Sequence, residues 1–165
     1  MEAHVLDAIR RGHNIPLDKI RLAIKYLRDQ FGSPHPLADH RLETDGLDLF
    51  VPQYGRLINI TQSGQLAMRE ILEGYLKRIE RNDAGRAVRL YPFTRRRKMD
   101  EPRAVVIDPS IAFGRPVLVG TGVPTASIAE RYKAGESLSQ LANHWGRTSE
   151  EIEEAIRCEL ELEAA

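Results

Sequence analysis

His35, Asp39, His40, Asp45 and Asp48 put imidazoles and carboxylates in one short window, and such side chains could ligate a divalent cation. Their spacing matches no recognised metal motif, and Pro34, Pro36 and Gly46 mark a solvated loop, so no metal site is assigned. Gly114, Gly120 and Gly122 raise a second chemistry, because backbone N–H groups of a glycine-rich loop can cradle phosphate. No Lys-Ser or Lys-Thr follows the last glycine and no Gly-x-Gly-x-x-Gly occurs, so turn formation is the better account of these glycines. Cys158 sits in a glutamate-rich run that disfavours its thiolate, and no Ser-His-Asp order or nucleophile elbow is present. His144, beside Trp145, reads as helix surface rather than as a base. No catalytic or cofactor-binding residue is assigned.

Two groups of cations invite nucleic acid: Lys19, Arg21, Lys25 and Arg28 at helical spacing, and the run Arg95-Arg96-Arg97-Lys98. A solvated helix face is the better account of the first group. Net charge is zero, yet residues 1–103 carry 19 Lys and Arg against 14 Asp and Glu, whereas residues 104–165 carry 5 against 10. That asymmetry suggests different partners for the two parts or attraction between them. Residues 137–145 and 149–160 have the proportions of a helix-turn-helix, but seven Glu against Arg157 between positions 150 and 163 would be repelled by phosphates. That face suits a protein partner better.

The elements that must position these groups follow from periodicity and punctuation. Val5, Leu6 and Ile9 with Gly12 predict a short helix, and Leu17, Ile20, Ile24, Leu27 and Phe31 predict a second between Pro16 and Gly32. Residues 47–51 and 56–60 read as a hairpin around Tyr54-Gly55. Met68, Leu72, Tyr75 and Ile79 predict a helix ending near Asn82, and Val88 and Leu90 an extended segment. The charged stretch 95–103 reads as a linker between an N-terminal domain, 1–94, and a C-terminal domain, 104–165. In residues 107–124, six Gly or Pro lie among strand formers, giving two short strands, 105–107 and 117–119, with Pro124 opening a helix. Ile128 and Tyr132 share one face of that helix. Ser137 with Gln140, and Thr148 with Glu151, match the capping-box pattern, and Gly146 supplies the turn between their helices. Leu138, Leu141, Ala142 and Trp145 are the inward face of the first of these; Ile152, Ala155, Ile156 and Leu160 are that of the second. The fold class is α+β and mainly helical: N-terminal helices with a β-hairpin, then a short β-ribbon leading into a three-helix, helix-turn-helix-like bundle. One cysteine, no signal sequence and no long apolar run fit a protein of the reducing cytoplasm. Strands this short favour pairing between chains, so a homodimer is expected.

The motif Ile107-Asp108-Pro109, Gly114-Arg115-Pro116, Gly120-Thr121-Gly122-Val123-Pro124, followed by Ala134-Gly135-Glu136-Ser137, resembles a bacterial family long catalogued as a domain of unknown function, whose members look like VapB-type antitoxins. Upstream, Glu2-Ala3-His4-Val5-Leu6, Lys19-Ile20-Arg21, Leu57-Ile58-Asn59-Ile60, Gly64-Gln65-Leu66-Ala67-Met68 and Leu90-Tyr91-Pro92-Phe93 extend the resemblance over nearly the whole chain. The resemblance implies a type II toxin-antitoxin system and a binding protein rather than an enzyme. Its implied partner is a PIN-like, metal-dependent ribonuclease from the adjacent gene. Longer relatives carry a MerR-like winged helix upstream of the segment matching residues 2–6; this chain starts at that segment and is expected to lack it, so operator binding and autoregulation stand behind toxin binding as the alternative expectation. An arginine inserted into a ribonuclease's carboxylate cluster can displace its cation, which makes Arg95, Arg96, Arg97 and Arg115 the toxin-binding candidates. Asp108, Pro109, Gly114, Pro116, Gly120, Thr121, Gly122, Pro124 and Gly135 are then structural residues of the motif.

Overall fold

The apolar stripe from position 17 to position 31 forms helix α1 (Leu17–Phe31), which buries Ile20, Ala23 and Leu27. Gly32 ends it in the left-handed region, φ 59°, and donates its N–H to the Arg28 carbonyl at 2.8 Å. The computed structural model describes residues 6, 17–39, 41–57, 62–94 and 102–163. The helix expected over residues 2–11 lies outside them apart from Leu6, which is helical. The chain forms two units, Met1–Ala87 and Val88–Ala165, with the division inside a β-strand.

In the first unit, a wide turn over Leu42–Gly46, closed by the Leu47 N–H on the Leu42 carbonyl, leads into α2 (Leu47–Leu57), and α3 (Gln62–Leu76) follows. The hairpin expected at 47–60 is therefore corrected: residues 47–57 are helical, and 58–60 lie outside the described residues. Leu47, Phe50 and Val51 are all buried, and that i, i+3, i+4 spacing serves one helix face as well as it serves a strand. Gly55 is not a turn residue; a Cβ there would lie 2.6 Å from the Gln65 side chain, so glycine permits close packing of α3 against α2. Beyond α3 the expected helix stops early, at Leu76. Ile79 instead begins β1 (Ile79–Arg81), which turns into β2 (Ala87–Leu90). The Asn82 carboxamide oxygen fixes that turn by accepting from the N–H groups of Ala84 at 3.1 Å and Arg86 at 3.0 Å.

β3 (Val105–Ile107) and β4 (Pro116–Leu118) pair antiparallel with Val106 opposite Val117, and Ile107 also faces Leu90 of β2. The four strands form one antiparallel sheet in sequence order. Helices α4 (Thr125–Lys133), α5 (Leu138–Trp145) and α6 (Ser149–Glu163) complete the second unit. Its core unites Val105, Leu118, Ile128, Leu141, Ile152, Ala155 and Ile156 with the Cys158 side chain. Both capping boxes form: the Ser137 Oγ accepts from the Gln140 N–H at 3.3 Å, and the Thr148 Oγ1 accepts from the Glu151 N–H at 3.2 Å. Gly146, at φ 62°, makes the left-handed end of α5. One inward position is corrected: Leu160 is 52% exposed, and Cys158, half a turn before it, faces the core instead.

Candidate partner-binding surface

The turn between β3 and β4 is built by Asp108. Its carboxylate accepts the Ser110 N–H at 2.8 Å and the Ser110 hydroxyl at 2.5 Å, and pairs with the Arg89 Nε at 2.9 Å. These donors, the Ser110 hydroxyl first and Arg89 next, pull the Asp108 carboxyl down to about 2. Pro109 starts the reversal. Ile111 N–H then donates to the Asp108 carbonyl at 3.0 Å, Gly114 N–H to Ile111 at 2.9 Å, and Arg115 N–H to Ala112 at 3.2 Å. Three successive residues are left-handed: Ala112 at φ 46°, Phe113 at 57° and Gly114 at 75°. For the two that are not glycine this conformation costs about 1–2 kcal/mol each. Phe113 stands at the apex with its side chain fully exposed, and Arg115 is exposed two residues on.

The rest of the motif closes the ribbon onto the helices. Gly120 (φ 74°) and Gly122 (φ 70°) shape the next turn, where the Thr121 hydroxyl donates to the Leu118 carbonyl at 2.8 Å and accepts the Val123 N–H at 3.0 Å. Pro116 belongs to β4, and Pro124 bridges to Val117 and caps α4 from the position before its first residue. The Thr125 hydroxyl, buried, reaches the Pro116 carbonyl at 3.1 Å and the Glu159 carboxylate. Gly135 (φ 102°) links α4 to α5. These glycines shape the turns of the motif.

Of the cationic candidates, Arg21, Lys25 and Arg28 are exposed on one side of α1 and line, with Leu6, Ile24 and Leu37, a cavity of about 300 Å³. Lys19 lies on the same helix. Arg95, Arg96 and Arg97 lie outside the described residues. Two carboxylates of the Asp and His window are engaged otherwise. The Asp39 carboxylate is held by Arg41 at 2.9 Å, which lowers its pKa to about 2, and Asp48 is ion-paired with Arg69. His40 lies outside the described residues. Among those residues no three His, Cys, Asp or Glu side chains come together as a metal would need. Burial, with Glu159 adding to it, pushes the Cys158 thiol up to about 12, which favours the uncharged thiol over the thiolate. His144 is exposed and meets the Trp145 ring edge-on at 5.1 Å. The Arg131 guanidinium lies 4.8 Å from the centre of the same indole and pairs with Glu136. Phe113 is the residue that sequence reasoning missed; an aromatic inside a turn bounded by Pro109 and Pro116, outside any apolar period, was the available signal.

No helix among the described residues is long and apolar enough to cross a membrane. The family described as "Protein of unknown function (DUF433)" matches residues 105–157, which span β3 through most of α6. A crystal structure of Rv2018 from Mycobacterium tuberculosis is similar to this fold, with a TM-score of 0.65, 27% identity, and coverage of 94% of this chain and 75% of that one. The Mycobacterium tuberculosis protein named "Putative antitoxin VapB45" is 31% identical over 94% of this chain and 67% of its own length. With the motif turn, both capping boxes and that likeness in place, the chain belongs to the VapB-type antitoxin family.

Proposed function

We propose that this protein is the antitoxin of a type II toxin-antitoxin pair and silences a PIN-like ribonuclease by binding it directly. The observation that carries the reading is the likeness, over nearly the whole chain, to a relative named as an antitoxin. The chemistry agrees with it. The motif turn offers an exposed guanidinium, Arg115, and a planar cation can take a bidentate hold on the carboxylates that such a nuclease uses for its metal. Arg95, Arg96 and Arg97 belong to the same proposal as further cations. A homodimer would present two such sets to two toxin molecules.

The test is co-expression with the product of the adjacent gene. The two proteins are expected to co-purify, and growth arrested by that product is expected to resume. Changing Arg95, Arg96 and Arg97 together to Ala should weaken binding and restore ribonuclease activity. A chain that neither binds its neighbour nor restores growth would sink the reading.

A second reading, operator binding and autoregulation, has one observation in its favour: Arg21, Lys25 and Arg28 are exposed together along α1. Gel shifts at several salt concentrations test it, because removing one phosphate-binding cation flattens the fall of affinity with salt by a countable step. Retardation that is indifferent to replacing these three by Ala would remove α1 as the DNA reader.

A further inference from the structure

We propose that the turn over residues 111–115 is a preformed protein-docking knob, with Phe113 as its apolar anchor and Arg115 as its cation. The partner surface it fits is an apolar pocket bordered by carboxylates. The inference rests on the antitoxin reading, on which that surface belongs to the toxin.

Phe113 contributes nothing to the core. Its side chain is fully exposed, the most open of the large apolar side chains among the described residues. Single exposed apolar residues are ordinary on soluble proteins, but this one occupies a backbone position that disfavours it. At φ 57°, in the middle of a left-handed run, glycine or asparagine would relieve strain, and the ring gains no packing in return. The turn is also rigid. Three successive backbone hydrogen bonds close it, from Ile111, Gly114 and Arg115, and Asp108 locks its base through Ser110 and Arg89. A ring held out on a closed turn loses little freedom on docking, which is the economy that preorganisation gives an interface. Aromatic and arginine side chains are also the residue types that dominate binding energy at protein interfaces.

Charge selects the kind of partner. Residues 104–165, which carry the turn, hold five Lys and Arg against ten Asp and Glu, and that local acidity disfavours phosphate even though Phe113 could stack on a base. A second copy of this chain is also disfavoured at this spot. A two-fold contact between Phe113 rings would bring the two Arg115 side chains, each two residues away, toward each other. Arg115 is exposed and makes no hydrogen bond or ion pair with its side chain among the described residues, which leaves it available to a carboxylate.

The experiment uses the full chain and the product of the adjacent gene, titrated by calorimetry, with Phe113→Gly, Phe113→Asn and Arg115→Glu. Glycine and asparagine both accept the left-handed backbone, so the turn keeps its shape while the ring is removed. Urea midpoints equal to or above that of the unmodified chain would establish that each variant is folded. Each variant is then expected to bind the toxin about tenfold or more weakly, as for an interface hot spot. Unmodified chain that binds, with both Phe113 variants binding within about twofold of it, overturns the knob and leaves the antitoxin reading standing. Unmodified chain that does not bind ends the antitoxin reading and the knob with it. A Phe113 variant that alters self-association, seen by sedimentation, while toxin binding is unchanged would assign the turn to contact between copies and likewise overturn the proposal.

Discussion

Replacing Ser137 with Ala removes one half of the capping box that starts α5. The Ser137 Oγ accepts the Gln140 N–H at 3.3 Å, a long bond, while the Ser137 N–H donates to the Gln140 side-chain oxygen at 2.8 Å. Both bonds are exposed, so water takes over part of what the substitution frees, and the loss sits near about 1 kcal/mol rather than at the upper end for caps. The chain supplies its own probe, because its single tryptophan, Trp145, is the last residue of α5 and packs against the core of the second unit. Trp145 fluorescence in urea therefore reports on the Val88–Ala165 unit. For a unit of that size the denaturant slope is about 1 kcal/mol/M, so the midpoint is expected to fall by about 1 M with the slope unchanged. Gln140→Ala should cost about half as much, and the double variant less than the sum, because each side chain orients the other. A Ser137→Ala midpoint within about 0.2 M of the unmodified chain, or strictly additive losses, would refute the box as a reciprocal pair.

Asp108 is held near 2 by Ser110 and Arg89, below its unfolded value of 3.8. A depressed carboxyl stabilises the fold fully above its unfolded pKa and loses that contribution as pH falls through its folded one, so stability by Trp145 fluorescence should drop between about pH 4 and pH 2. Asp108→Asn should flatten that fall while lowering stability at neutral pH; an equally steep acid limb would show that other groups cause it. The Cys158 thiol, buried and raised to about 12, should stay unlabelled by a disulfide reagent at pH 8 and react at once in urea; fast labelling of the native chain would contradict its place in the core. Gly46→Ala would place a Cβ 2.9 Å from the Arg41 carbonyl oxygen and 2.8 Å from the Phe31 ring. Backbone oxygen yields little, so a loss of about 1–3 kcal/mol is expected in a urea melt of the first unit followed by far-ultraviolet circular dichroism. An unchanged melt would mean that the wide turn before α2 relaxes freely.

The second unit was legible because its signals are local. Ser137 with Gln140 and Thr148 with Glu151 each satisfy donors three residues apart, so no distant contact is needed to read them, and the structure forms both. The first unit was harder because its elements are decided by packing. Leu47, Phe50 and Val51 suit either period, while Pro52 and Gly55 argue locally against a helix. What decides for a helix is burial of that triplet on one face and the fit of Gly55 against Gln65. Ile79 failed for the converse reason: it continues the apolar stripe of Met68, Leu72 and Tyr75, but the chain leaves the helix at Leu76 and uses Ile79 as a buried strand residue.

Phe113 shows a different limit. Periodicity finds apolar residues that share a face, and a lone ring at the apex of a turn shares no face with anything. The sequence shows the turn through Asp108, Pro109, Gly114 and Pro116, but not that its apex is left-handed at a residue with a side chain. Only the backbone angles turn an ordinary Ala-Phe-Gly into a strained and outward-facing position. Stability alone would favour glycine there, so the ring is the part of the motif that folding leaves unexplained. Asp108, Thr121, Pro124 and the motif glycines have structural work that their hydrogen bonds and angles account for, whereas Phe113 and Arg115 point away from all of it. Within one short motif the residues thus divide into those that make the turn and those that the turn displays.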